Sequence, residues 1–286
     1  IVNQGFEFML YSTPVQTKDF TFDLNINLSR NVSKVKELAD GVDYLFFNGD
    51  ANFPINVGTR VGHRLGEIYA KNLYKRDENG NMIVNKQGRP TKVSGEDAFQ
   101  YTLDHPIGNI EPDLLMSVSP SFTYKGFTLS ALFDMKFGGD IVSVSEAMAT
   151  STGLAARTAN RGNAENGWKI VAPGVTADGT VNSTAMNAQR YYTSMSGMAE
   201  EFVYDASFIK LKELSLGYSF PKSILKKTPL TSLNVAFVAR NLAYLMKHTP
   251  GTSPEGGYDT SMFSQAIDYM SVPYTRTFGL SINLGF

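Results

Sequence analysis

No cysteine occurs in the 286 residues. That absence excludes disulfides, thiolate metal sites and a cysteine nucleophile, and it is compatible with any compartment. Histidine is nearly as scarce: His63, His105 and His248 are far apart, so a histidine-based metal centre has no visible partner set. Net charge is small, at −1, and the 26 Lys and Arg are spread along the chain, which leaves no basic track for nucleic acid. No run of about 18 apolar residues is present, so no membrane-spanning helix is expected. Spanning strands escape that test, because about 9–11 residues of alternating character suffice to cross a bilayer. The opening Ile1-Val2-Asn3-Gln4 lacks the basic and apolar regions of a signal peptide, so either such a peptide has been removed or Ile1 is not the native start. Catalytic signatures are missing too: there is no nucleophile elbow and no HExxH, and "GTRVGHRLG" lacks the Lys-Ser/Thr ending of a phosphate-binding loop. An enzyme is not expected, and neither is a cofactor.

What the chain has in abundance is alternation. Phe20, Phe22, Leu24, Ile26 and Leu28 alternate with Thr21, Asp23, Asn25, Asn27 and Ser29. Phe127 to Phe137 repeats the pattern, as does Leu214 to Phe220, and the ending "RTFGLSINLGF" sets Phe278, Leu280, Ile282, Leu284 and Phe286 against Gly, Ser and Asn. A period of two with one apolar and one wet face defines β-strands. Nine are expected, near 4–13, 18–30, 42–48, 56–70, 113–125, 126–139, 206–220, 231–246 and 273–286. Aromatics at strand ends (Tyr11, Tyr124, Tyr218, Phe220, Tyr274 and Phe286) fit rings seated at a membrane interface.

Connection lengths alternate as well. "STPVQTKD", "YKG" and "PKSILKKTPLTS" are short, whereas the stretches Lys71 to Pro112, Asp140 to Asp205 and Lys247 to Pro273 are long. In an antiparallel meander alternate connections share a side, so all the long loops fall on one face. The fold class expected is all-β, an antiparallel transmembrane barrel; a soluble β-sandwich that binds carbohydrate and a small self-contained outer-membrane barrel remain the alternatives. Nine strands with two open edges would leave backbone groups unpaired in hydrocarbon, which points to the end portion of a larger barrel.

Six stretches carry a family resemblance, and they occur in that family's order: "KDFTFDLNINLSRNVSKVKEL", "VGTRVGHRLGEIYAKNLYK", "IGNIEPDLLMSVSPSFTYKGFTLSALFDMKFGGDI", "FIKLKELSLGYSFPKSIL", "LNVAFVARNLAYLMKHTPGTSPEGG" and "YTRTFGLSINLGF". Together they resemble the C-terminal part of SusC/RagA-type TonB-dependent outer-membrane transporters. The resemblance implies that residues 1–286 are the last nine or so strands of a 22-stranded barrel whose plug domain and earlier strands precede Ile1. It implies a SusD-like surface lipoprotein as partner, energy from the TonB complex through the missing N-terminal region, outer-membrane lipid around the barrel, and import of glycan oligosaccharides or peptides. A terminal aromatic such as Phe286 is, in outer-membrane barrels, a signal read by the insertion machinery.

Candidate residues follow from these readings. Asp23, Asn25, Asn27, Asp134, Lys136, Glu213, Arg240 and Asn283 occupy wet faces and are expected to line the lumen. Asp140, after Gly138-Gly139, either aims a carboxylate at a ligand or belongs to a plain glycine strand exit. Trp168, the single tryptophan, and Tyr191-Tyr192 share the longest loop and offer aromatic faces to a ligand, or else a small core for the loop. "SPEGGYD" clusters Glu255 and Asp259 as weak candidates for a cation, although the spacing is not that of an EF-hand. Within that longest loop the stretch Val142 to Arg161 has helical character.

Overall fold

The computed structural model describes residues 1–48, 55–258 and 264–286. Its dominant element is a seven-stranded antiparallel sheet. The strands are β1 (Val2–Gln16), β2 (Phe20–Lys34), β3 (Leu114–Tyr124), β4 (Phe127–Phe137), β5 (Phe208–Ser219), β6 (Ser232–Lys247) and β7 (Thr277–Gly285). Each pairs with its neighbour in sequence, and β1 and β7 form the two edges. With the shortest strand at nine residues, all are long enough to cross hydrocarbon.

Register carries the alternation from strand to strand. Phe22 pairs with Phe122, Ile26 with Val118 and Leu28 with Met116, while Asp23, Asn25 and Asn27 meet Ser121, Ser119 and Ser117. Across the far edge Phe237 opposes Leu280 and Val235 opposes Ile282, while Asn234 opposes Asn283. One face is therefore an apolar belt and the other a polar wall. The belt is uncovered: Phe8 is 51% exposed, Phe237 48% and Leu280 73%. A sandwich would bury this stripe against a second sheet. Here the buried apolar cluster is built from the connections, around Ile55, Val57, Ile68, Val142, Tyr191, Met195 and Phe202, and it contains no residue of the seven strands.

Bulges keep the two faces pure where the sequence breaks its period. Lys212 and Glu213 are adjacent, so a strict two-residue period would send one charge onto the apolar belt. An extra residue in β5 at this point lets Glu213 pair with Arg240 at 2.8 Å while Lys212 reaches Asp134 at 2.5 Å, both on the polar side. In β1 the bulge falls at Thr13 and Pro14, where proline has no N–H to give the ladder, and Thr13 donates to Asp23 at 2.7 Å.

At the turn end aromatic rings line up on the belt. Phe22 stacks on Phe122 with centroids 4.7 Å apart, Phe127 lies 4.5 Å from Tyr218, and Tyr218 lies 4.9 Å from Phe220. Tyr11 departs from the expected interfacial set: it pairs with Asn25 on the polar face, well inside a strand that runs on to Gln16. Tyr274 departs also, with its ring over the Lys210 ammonium at 4.7 Å.

The connections obey the expected asymmetry. Residues 17–19, 125–126 and 220–231 join strands at one end, and 35–113, 138–207 and 248–276 at the other. Two of the nine expected strands sit in the first long connection. The segment near 42–48 is Tyr44–Asn48, and that near 56–70 divides into Ile55–Arg60 and Glu67–Ala70; with Gly108–Asn109 they form a separate four-stranded sheet. Their burial explains the difference, since Ile55, Val57, Ile68, Tyr69 and Ala70 are buried without alternation, as in a two-sided core.

Candidate functional site

The three long connections meet at one end of the sheet and share a core. A three-stranded sheet ties two of them together: Asp140–Ser143 pairs with Val203–Asp205 and, in parallel, with Ile267–Asp268. The expected helical stretch becomes α2 (Val144–Thr152), preceded by α1 (Glu96–Asp104) and followed by α3 (Ala188–Met195). Ser143 caps α2, with the Glu146 N–H donating to Ser143 Oγ at 3.1 Å. Gly153, in the left-handed region, ends the helix. Ser143 Oγ also donates to the buried Asp268 at 2.7 Å, which fixes α2 to the third connection.

Arg157 joins separate parts of the second long connection. Its guanidinium meets Glu201 at 3.0 Å and Glu146 at 3.7 Å, donates to Tyr204 Oη at 2.6 Å and lies 5.1 Å from the Phe202 ring centroid. Burial pushes the Glu146 carboxyl above the usual carboxylate range, and Arg157 pulls it back. Nothing local in the sequence marks Arg157, since its partners come from 11 to 47 residues away in the chain.

Trp168 is held on the rim of this assembly in an uncommon conformation, with φ of 56°. For a bulky side chain the left-handed region is strained. A reciprocal pair of bonds between Asn163 and Asn166 shapes the turn, the Trp168 N–H donates to Asn163 O at 2.9 Å, and the Ala188 N–H donates to Trp168 O at 2.9 Å. The indole is half exposed and lines a cavity of about 610 Å³ together with Thr150, Arg161, Asn187, Gln189 and Tyr192.

The adjacent tyrosines part company. Tyr192 donates from Oη to Arg157 O at 3.0 Å and lines the Trp168 cavity. Tyr191 lines another cavity of about 290 Å³ with Tyr74, Arg89 and Lys92. Both rings are largely buried and meet edge to face at 5.2 Å, so they serve the core of the connections as well as the cavity walls. Burial, reinforced by Glu201, pushes the Tyr191 hydroxyl up to about 12.

Other sequence candidates are placed as follows. Asp140 Oδ2 accepts the Asn109 N–H at 2.8 Å, pinning the first connection to the exit of β4. Gly138 and Gly139 have positive φ, and a Cβ on Gly138 would stand 2.4 Å from the Asp113 carboxylate, so both requirements demand glycine there. Burial raises the Asp140 carboxyl above its usual range; the Asn109 N–H opposes this, and Asp205 adds to it. Glu255 forms a 2.6 Å ion pair with Lys210, and Tyr244 Oη donates to the same oxygen at 2.5 Å. Asp259 lies outside the described residues. Among the described residues no group of three or more His, Asp or Glu is arranged to hold a metal ion. Asp23, Asn25, Asn27, Asp134, Lys136, Glu213, Arg240 and Asn283 all fall on the polar face of the sheet. Phe286 follows the last paired residue, Gly285, and is 81% exposed.

No family model matches the chain. TonB-dependent receptor P3 of Formosa agariphila is 28% identical over 302 residues, a span covering 99% of this chain and 28% of the receptor. TonB-dependent receptor SusC of Bacteroides thetaiotaomicron is 27% identical over 299 residues, covering 99% and 26%. The chain is similar to SusC/RagA-type TonB-dependent receptors. Among solved structures, the RagAB peptide importer in its closed-closed state aligns with a TM-score of 0.64 at 20% identity, covering 99% of this chain and 29% of that one. Its open-open state aligns with a TM-score of 0.64 at 18% identity. This likeness establishes the fold: the seven-stranded sheet and its connections adopt the arrangement of a RagA-like segment. The chain spans little more than a quarter of the SusC/RagA-type relatives it matches.

Proposed function

We propose that residues 1–286 are the C-terminal barrel portion of an outer-membrane TonB-dependent transporter that imports large nutrients, oligosaccharides or peptides, and that they perform no catalysis themselves. The observation that carries this reading is the uncovered apolar belt across seven long strands, bounded at the turn end by stacked aromatics. In water such a belt would aggregate, whereas in a bilayer it is the expected outer surface of a barrel. The polar face then lines the lumen, with Asp134–Lys212 and Glu213–Arg240 pairs along the wall. The compact connections present the outer surface, where a SusD-like lipoprotein caps the mouth and nutrient is captured. The plug and the TonB-contacting segment belong to a region preceding residue 1. Phe286 is assigned to recognition by the insertion machinery.

The test is genetic. Deleting the full-length gene should abolish growth on one class of oligomeric nutrient while leaving growth on the corresponding monomer intact, and removing the TonB system should reproduce the defect. Uptake of that oligomer surviving without TonB would overturn the proposal.

A further inference from the structure

The small net charge conceals a separation of charge along the strands. The turns at residues 17–19, 125–126 and 220–231 carry Lys18, Lys125, Lys222, Lys226 and Lys227 against a single acidic side chain, Asp19, whereas acidic residues outnumber basic ones in the three long connections. Resting on the reading of the chain as an outer-membrane barrel with its turns towards the periplasm, we propose that this lysine rim docks on anionic phospholipid headgroups of the inner leaflet and gathers them around the barrel. All five lysines are exposed, and none makes an ion pair among the described residues. One solvated lysine is ordinary on any surface, so the placement of these carries the argument. Lys125 closes the turn between β3 and β4 with φ of 46°, and its Nζ stands over the Tyr124 ring at 5.3 Å. Tyr124 pairs with Phe20 and Phe127 on the apolar face, so this ammonium lies on the lipid side of the rim and not over the lumen. In the longest turn a short helix, α4 (Lys222–Leu225), buries Leu225 and leaves Ile224 60% exposed between Lys222 and the Lys226-Lys227 pair. An exposed apolar side chain flanked by lysines is the composition of a segment seated in a membrane interface.

Spacing lets the charges act together. Neighbouring turns stand two strand spacings apart, roughly 10 Å, which is about one Debye length at physiological salt. Their potentials therefore overlap over one stretch of membrane surface. Depth is set by the aromatic rings at the same end, Phe22 on Phe122 and Phe127 beside Tyr218, which hold the rim at the level of the headgroups. Every cation in these turns is lysine and none is arginine. Lysine is a compact point charge that meets phosphate oxygens without requiring the fixed fork geometry of a guanidinium, which suits headgroups that exchange and rotate. A zwitterionic headgroup brings its own amine and has no net charge, so the rim favours lipids with a net negative charge. The opposite end, with its acidic excess, offers such lipids no equivalent attraction.

The experiment uses the full-length protein reconstituted in phosphatidylcholine vesicles doped with either spin-labelled phosphatidylglycerol or spin-labelled phosphatidylcholine. Electron spin resonance then reads the fraction of each lipid immobilised at the protein surface. Wild type should hold phosphatidylglycerol about threefold or more in preference to phosphatidylcholine, and the preference should fall as salt is added. A variant combining Lys18→Gln, Lys125→Gln, Lys222→Gln, Lys226→Gln and Lys227→Gln should lose at least half of that preference. A variant combining Lys36→Gln, Lys75→Gln and Lys86→Gln, all in the first long connection, should keep it. The inference is overturned by a wild type without the preference, by a preference undiminished in the five-lysine variant, or by an equal loss in the connection variant. A rim that served an acidic protein partner instead would give one of the first two results. Outer-membrane fractionation and heat-modifiable migration of the same proteins score the transporter reading separately. An inserted, folded protein with no lipid preference refutes the lysine rim alone, whereas failure to insert refutes both.

Discussion

Asp140 illustrates how one side chain answers two demands. The carboxylate completes the backbone of another connection by accepting the Asn109 N–H, yet burial makes its charge costly. Its folded-state value lies above the ordinary one, so the folded state holds this proton more tightly than the unfolded chain does. Stability from this group is therefore lost as pH rises from about 4 through the folded value. An asparagine keeps the acceptor and carries no charge. Hydrogen exchange of the Asn109 and Asp140–Ser143 amides should match between wild type and Asp140→Asn near pH 4, and at neutral pH the variant should be the better protected. Greater protection in wild type at neutral pH would show that the charge itself stabilises the junction. The glycines before Asp140 were legible in the sequence as a strand exit, but the partner of the carboxylate was not, because Asn109 is 31 residues away.

At the scale of the strand, chemistry is set by face. Leu280 and Ser281 are adjacent in β7, with Leu280 opposite Phe237 on the apolar belt and Ser281 opposite Ala236 on the polar side. On the proposed transporter reading, Leu280→Arg should destabilise the full-length protein by about 2–4 kcal/mol, the range for a cation on a lipid-facing strand, whereas Ser281→Arg should cost far less. Urea unfolding of full-length protein in vesicles would measure both, and equal penalties would remove the assignment of faces. Strand positions could be read from the sequence because a period of two appears within a single strand. The segments near 42–48 and 56–70 show the limit of that signal: they are strands, but only partners such as Gly108 and Asn109, brought from elsewhere in the connection, placed them in a different sheet. Helices α1 and α3 escaped the sequence reading because segments of nine and eight residues take their stability from tertiary packing rather than from helix propensity: α1 buries Ala98, Thr102 and Leu103, and α3 places Tyr191, Tyr192 and Met195 in the shared core.

For the molecule as a whole, the edges are decisive. β1 and β7 each present a row of backbone groups without a strand beyond them in this sheet. Those groups cannot remain unpaired in hydrocarbon, so the proposed function requires further strands between the two edges. Residues 1–286 expressed alone and refolded in detergent should give no heat-modifiable, protease-resistant band, whereas the full-length protein should give one. A stable band from this portion alone would favour the small self-contained barrel. Local chemistry was enough to specify strands, their two faces and the end that bears the long connections, since side-chain alternation and connection length are properties of contiguous residues. The separation of Tyr191 from Tyr192 into two cavities, and the joining of the second connection to the third through Ser143 and Asp268 and to the first through Asp140 and Asn109, were decided by the tertiary structure. Each depends on which distant segments pack together, and that follows from burying one shared apolar core rather than from any local pattern.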